Sequence, residues 1–202
     1  MRSIALFLVS ILYGLANFYI ENRIVNIARN YFTFNLSLLV YIPILILTLS
    51  SLVAYLEPTK NWKIIGTIGI YWFGFVILAF FILGMTDILL FLISHITKSN
   101  FSVNVLLIFR IINAIIILIL YAIGIHTANR IEITPYEVNI NSNNHAGTFK
   151  IAMFSDLHLG YINGTDRLEE IVVTINSINP DIVVIPGDFL TETTMQFKKN
   201  KK

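Results

Sequence analysis

Cysteine is absent from this chain. Disulfides and thiolate metal sites are therefore excluded. Any metal ion must be held by His, Asp, Glu or Asn, a donor set that suits Mn, Fe, Zn or Mg. Charge is scarce too. Only 13% of the residues are charged, against about 25% in an ordinary soluble domain. That scarcity excludes a chain that is soluble along its whole length. Lys and Arg number 14 against 12 Asp and Glu, a net charge of +2. The basic residues are scattered, so no nucleic-acid partner is expected. The closing cluster of Lys198, Lys199, Lys201 and Lys202 reads as a solvated tail.

What the chain has in excess is apolar side chains, 56% of the total. They fill residues 4–125, and ordinary polar content returns after His126. This division predicts an α-helical membrane region at 1–128, a connector at 129–148 and a short α/β segment at 149–202. A membrane helix needs about 20 apolar residues. Four runs come close to or exceed that: 4–20, 36–56, 64–93 and 103–125. No small-x-small cleavage site follows the first, so it reads as an uncleaved anchor. Polar stretches at 21–35, 57–61 and 95–102 separate the runs. Pro43 lies inside the second run, where neighbouring helices can re-satisfy the carbonyl it frees. The bilayer is thus the first partner implied.

Four spans put both chain ends on one side. Arg2, Lys60, Lys63 and Arg130 then share that side, against Arg23, Arg29 and Lys98 on the other. Four against three is too small an excess for loop charge to set the orientation, and the expectation is a multi-pass inner-membrane protein with its α/β segment in the cytoplasm. Asp87 and Arg110 fall inside apolar runs, where ionisable residues are costly and usually paired. Each lies about 12 Å from the loop joining the last two runs, counted at about 1.5 Å per residue. Either each sits at an interface and snorkels, or the two form an ion pair, which is the expectation taken forward. His126 reads as an interfacial residue rather than a ligand.

The connector carries a loose two-residue period at Tyr136, Val138 and Ile140, which predicts a strand. Asn141–Gly147 would form the turn after it. Asn144 and His145 sit in that turn and are not expected to bind metal. A first core strand is predicted at 149–154, then a loop at Gly160–Gly164. Asp166, with Glu169 three residues on, has the spacing of a capping box. Leu168, Ile171, Val172, Ile175 and Ile178 follow at helical spacing, and Pro180 ends the helix. A second strand is predicted at 182–185. A right-handed β-α-β crossover makes the two strands parallel.

Both strands deliver carboxylates at their carboxyl ends, the edge at which open α/β sheets bind ligands. Asp156 and His158 follow the first strand and Asp188 follows the second. On extended backbone, side chains two apart point the same way. Asp156 and His158 could therefore grip one metal ion while Leu157 points elsewhere.

The order strand, Asp156-x-His158-x-Gly160, helix, Pro180-Asp181, strand, Gly187-Asp188 resembles the calcineurin-like metallophosphoesterases. It is closest to their bacterial membrane-anchored branch. The matching stretch runs from Phe149 to Asp188. The resemblance implies a sandwich of two sheets flanked by helices, of which this segment is an incomplete start. It implies a dimetal site in which Asp156 and His158 hold one ion and Asp188 bridges to a second. Such a pair of ions clamps phosphate oxygens and activates a water for in-line displacement. The implied activity is hydrolysis of a phosphate ester of unspecified identity.

The chain also departs from that pattern. Thr191 stands three positions after Asp188, where the family often has an acid. The family's Gly-Asn-His motif, its further His and its Gly-His-x-His motif are not found. After Asp188 come 14 residues with no His or Asp. The chain is therefore expected to be an N-terminal portion of such an enzyme, inactive by itself. The competing expectation is a non-enzymatic integral membrane protein with a short cytosolic α/β tail.

Overall fold

A computed structural model describes residues 2–31, 37–56, 62–140, 147–159 and 164–189. The chain forms two compact units, one within residues 1–57 and 64–129 and the other within 58–63 and 130–202.

The first unit is helical. Its elements are α1 (Arg2–Tyr31), α2 (Ser37–Leu56, with Pro43 inside), α3 (Lys63–Thr97) and α4 (Val103–Ala128). Among the described residues, α3 and α4 are long and apolar enough to cross a membrane. Helix α1 continues past the run at 4–20, through residues predicted as the start of a polar loop. Ile20 and Val25 explain this, since both are buried and keep that face of the helix packed. Ser102 caps α4, accepting from the Val105 N–H.

The packing of this unit is inverted relative to a soluble domain. Leu38, Ile64, Phe81 and Ile96 lie more than half exposed, whereas Asn17 and Asn113 are buried. Polar side chains join the helices from within, as they do where lipid supplies no hydrophobic drive between helices. Asn17 Oδ1 on α1 accepts from the Trp72 indole N–H of α3 at 3.1 Å. It also lies 2.9 Å from the Thr48 hydroxyl of α2. Thr86 of α3 meets Asn113 of α4 at 3.1 Å. Tyr13, Ile20, Val76, Ala79 and Ile117 form the apolar cluster between α1, α3 and α4.

Asp87 is bonded by two residues of α1, the Arg23 guanidinium and the Tyr19 hydroxyl. Sequence spacing pointed to Arg110 as its partner. The contacts from α1 escaped it because Arg23 lay in a stretch read as a loop.

The second unit holds β1 (Ile151–Met153), α5 (Thr165–Ile178) and β2 (Ile182–Val184). The strands pair in parallel, Ile151 with Ile182, Ala152 with Val183 and Met153 with Val184. Lys150 and Asp181 set this register just before the ladder starts. The Lys150 N–H donates to the Asp181 carboxylate at 2.7 Å, and the Asp181 N–H donates to the Lys150 carbonyl at 2.8 Å.

Two local expectations fail here. The capping box does not form, because Gly164 occupies the N-cap position and Asp166 falls in the first turn. There its charge still complements the helix dipole. Residues 136–140 are no strand. No neighbouring strand among the described residues supplies a ladder, and Tyr136, Val138 and Ile140 are almost fully exposed. The C-terminus of α5 follows the sequence more closely. Asn179 adopts left-handed backbone there, and Pro180 follows it. The proposed turn at 141–147, the pair Asn144 and His145, and the lysine cluster at 198–202 lie largely or wholly outside the described residues.

Candidate metal centre

The site begins where the β-ladder ends. Beyond Met153 the chain stays beside the segment leaving β2, held by a run of backbone hydrogen bonds. The N–H groups of Phe154, Asp156, His158 and Leu159 donate to the carbonyls of Val184, Gly187, Asp188 and Phe189, at 3.2, 3.4, 3.0 and 3.1 Å. Leu157 and Leu159 point inward and are buried. Asp156, His158 and Asp188 are exposed. The Phe154 and Phe189 rings stand 6.3 Å apart.

The three side chains converge. One donor atom from each of Asp156, His158 and Asp188 lies within 4.8 Å of the other two. His158 Nε2 is 4.0 Å from Asp188 Oδ2. Among the described residues this is the one group of three such side chains close enough to share an ion. Three ligand atoms on a metal with bonds of about 2.0–2.2 Å stand about 3.4–3.6 Å from one another. The donor triangle is therefore about 1 Å wider than an ion needs, and side-chain rotation at this exposed edge can close it. Two carboxylates and an imidazole are also the right chemistry for Mn, Fe, Zn or Mg.

The convergence does not arise as strand alternation would give it. Asp156 and His158 lie on left-handed backbone, with φ of 57° and 44°, and so does Asp188, with φ of 45°. Extended backbone was the expectation for the first two. Left-handed backbone costs an L-residue about 1–2 kcal/mol, less where a short polar side chain bonds locally. Three such residues at one edge are the kind of strain that clusters at functional sites. One local bond is present: the Ser155 hydroxyl donates to Asp156 Oδ2 at 2.6 Å. Sequence reasoning passed over Ser155, because neighbours on extended backbone point to opposite faces.

Comparison with known proteins reaches one relative. A transmembrane protein with metallophosphoesterase domain from Danio rerio is 46% identical to this chain over 39 residues. The chain is similar to a metallophosphoesterase-domain protein over that stretch. The stretch is 19% of this chain and 9% of the relative. No family model matches the chain. No solved structure matches it. Two membrane-capable helices and a relative named as a transmembrane protein together mark a membrane protein.

Proposed function

We propose that this is a membrane-anchored, metal-dependent phosphoesterase unit, in which Asp156, His158 and Asp188 hold a divalent ion. The observation that carries the reading is the meeting of these three donors at the carboxyl edge of a parallel sheet. The relative's printed domain name supports it. When bound, the ion supplies Lewis-acid polarisation of a phosphate oxygen and a water more easily deprotonated than bulk water. The chain's own residues do the rest. Asp156 and Asp188 bring negative charge to the ion, and His158 adds a neutral donor between them. Buried Leu157 and Leu159 anchor the segment that carries the first two ligands.

A second ion, as in a two-metal clamp, would be bridged by Asp188. The described residues bring no further His, Asp or Glu to this edge to complete its shell. The substrate class is a phosphate ester. The anchor is read as four spans, α1 to α4, in the inner membrane, with the α/β segment cytoplasmic.

The test uses the purified full chain in detergent with added Mn2+. Bound metal is counted by elemental analysis, and hydrolysis of an aryl phosphodiester is followed. One ion per chain, lost in Asp156→Ala and Asp188→Ala, supports the reading. A wild-type chain that retains no metal overturns it.

A further inference from the structure

We infer that Ser155 is the positioning residue for Asp156: its hydroxyl holds Oδ2 and leaves Oδ1 for the ion. The inference rests on the metal reading above and adds a residue to it. The Ser155 Oγ to Asp156 Oδ2 distance is 2.6 Å. That lies within the about 2.5–2.7 Å range of charge-assisted O–H···O⁻ bonds. Adjacent side chains meet this way because the backbone turns left-handed at Asp156, with φ of 57°. The unusual backbone and the hydroxyl contact are therefore one device. The backbone swings the carboxylate back over its neighbour, and the neighbour fixes it.

An exposed aspartate otherwise rotates freely and can present one oxygen or two. A held Oδ2 limits Asp156 to a single-oxygen ligand. Partners of this kind orient metal ligands, and their loss typically lowers metal affinity about 10–100-fold. Ser155 is exposed, so water replaces its bond readily in the metal-free chain. The effect should fall on metal affinity and choice rather than on folding. Ca2+ accepts two-oxygen carboxylates, which smaller ions favour less. Freeing Oδ2 should therefore narrow the preference for Mn2+ over Ca2+.

The test titrates Mn2+ into the full chain in detergent and reads free Mn2+ by electron paramagnetic resonance, then repeats the titration against Ca2+. Ser155→Ala should weaken Mn2+ binding about tenfold, and Ca2+ binding by less, with the metal-free melting temperature unchanged. Ser155→Thr keeps the hydroxyl and should restore binding to near the wild-type level. Ser155→Ala binding Mn2+ as tightly as wild type, or Ser155→Thr binding as weakly as Ser155→Ala, overturns the role of Ser155 alone. A wild-type chain that binds no Mn2+ overturns the metal reading and this inference together.

Discussion

His158 and Asp188 approach each other at two places. The His158 N–H donates to the Asp188 carbonyl at 3.0 Å, and its Nε2 stands 4.0 Å from Asp188 Oδ2. The backbone bond continues the line of contacts that begins in the β1–β2 ladder. The spacing of the two side chains is thus inherited from strand register. A one-residue slip of β1 against β2 would break the pairing of the His158 N–H with the Asp188 carbonyl, and the donor triangle would be lost.

Removing a ligand should therefore act on metal binding rather than on the sheet. Asp188→Ala and His158→Ala should each weaken Mn2+ binding about 100-fold or more, beyond the effect of losing an outer-shell partner. Glu169→Ala, on exposed α5 surface, should leave binding unchanged. Equilibrium dialysis on the three variants checks this. Equal affinity in all three would remove Asp188 and His158 from the site.

The register itself hangs on Asp181. Its carboxylate accepts the Lys150 N–H at 2.7 Å, just ahead of the first paired residues. Asp181→Ala deletes an exposed bond worth about 1 kcal/mol or less. Hydrogen exchange should speed up several-fold at the paired strand amides, while the α5 amides keep their rates. Metal affinity should fall with it, since the ligands share that register.

The sequence made some of this legible and hid the rest. Apolar runs at 151–154 and 182–185 announced two buried strands, and the helical spacing between them announced a parallel crossover. The structure has both strands, shortened, and pairs them in parallel, but they are not buried: of their six residues Ala152 alone is covered. The meeting of Asp156, His158 and Asp188 could be read from where those runs end. Their left-handed backbone could not, because alternation assumes the strand geometry that stops at Met153. Tyr136–Ile140 shows the opposite failure. It has the period of a strand but no partner to supply a ladder. Helix α1 ran on because two buried apolar residues outweighed its polar composition. That extension is what brings Arg23 to Asp87.

Gly69 should prove intolerant of any side chain. A Cβ there would lie 2.3 Å from the backbone of Ser50 and Ser51 on α2. Backbone cannot turn aside as a side chain can, so α2 and α3 would have to part by about 1 Å to restore contact distance. Gly69→Ala should cost about 1–3 kcal/mol and lower the melting temperature in detergent. Gly74→Ala is the internal control. Its Cβ meets nothing within 4 Å, and that variant should melt at or above wild type.

Asp87 and Arg23 should be energetically coupled. Either single change, Asp87→Asn or Arg23→Gln, leaves the other charge without this partner between helices. The double variant removes both. A double-mutant cycle on unfolding in mixed micelles should therefore return a favourable coupling of about 1 kcal/mol, the usual scale between membrane helices. Tyr19→Phe should weaken that coupling, because its hydroxyl donates to the same carboxylate. Strictly additive single changes would show that the contact contributes nothing.

The number of spans can be read by reporter fusions placed after Arg29, Trp62, Asn100 and Arg130. Helices α3 and α4 are joined by the few residues from Lys98 to Ser102, so if both cross, Trp62 and Arg130 report one side and Asn100 the other. Arg29 then decides between two spans and four. If α1 and α2 also cross, Arg29 reports with Asn100. If they lie at the surface, it reports with Trp62. Four spans is the outcome favoured by the structure of the helical unit. The Trp72 indole N–H of α3 donates to Asn17 of α1, whose Oδ1 also lies beside Thr48 of α2, and Asn17 is buried. A buried amide shared by three helices is hard to maintain if two of them lie flat on the membrane while the third crosses it. Arg29 should accordingly report with Asn100, and a signal shared with Trp62 would reduce the anchor to α3 and α4.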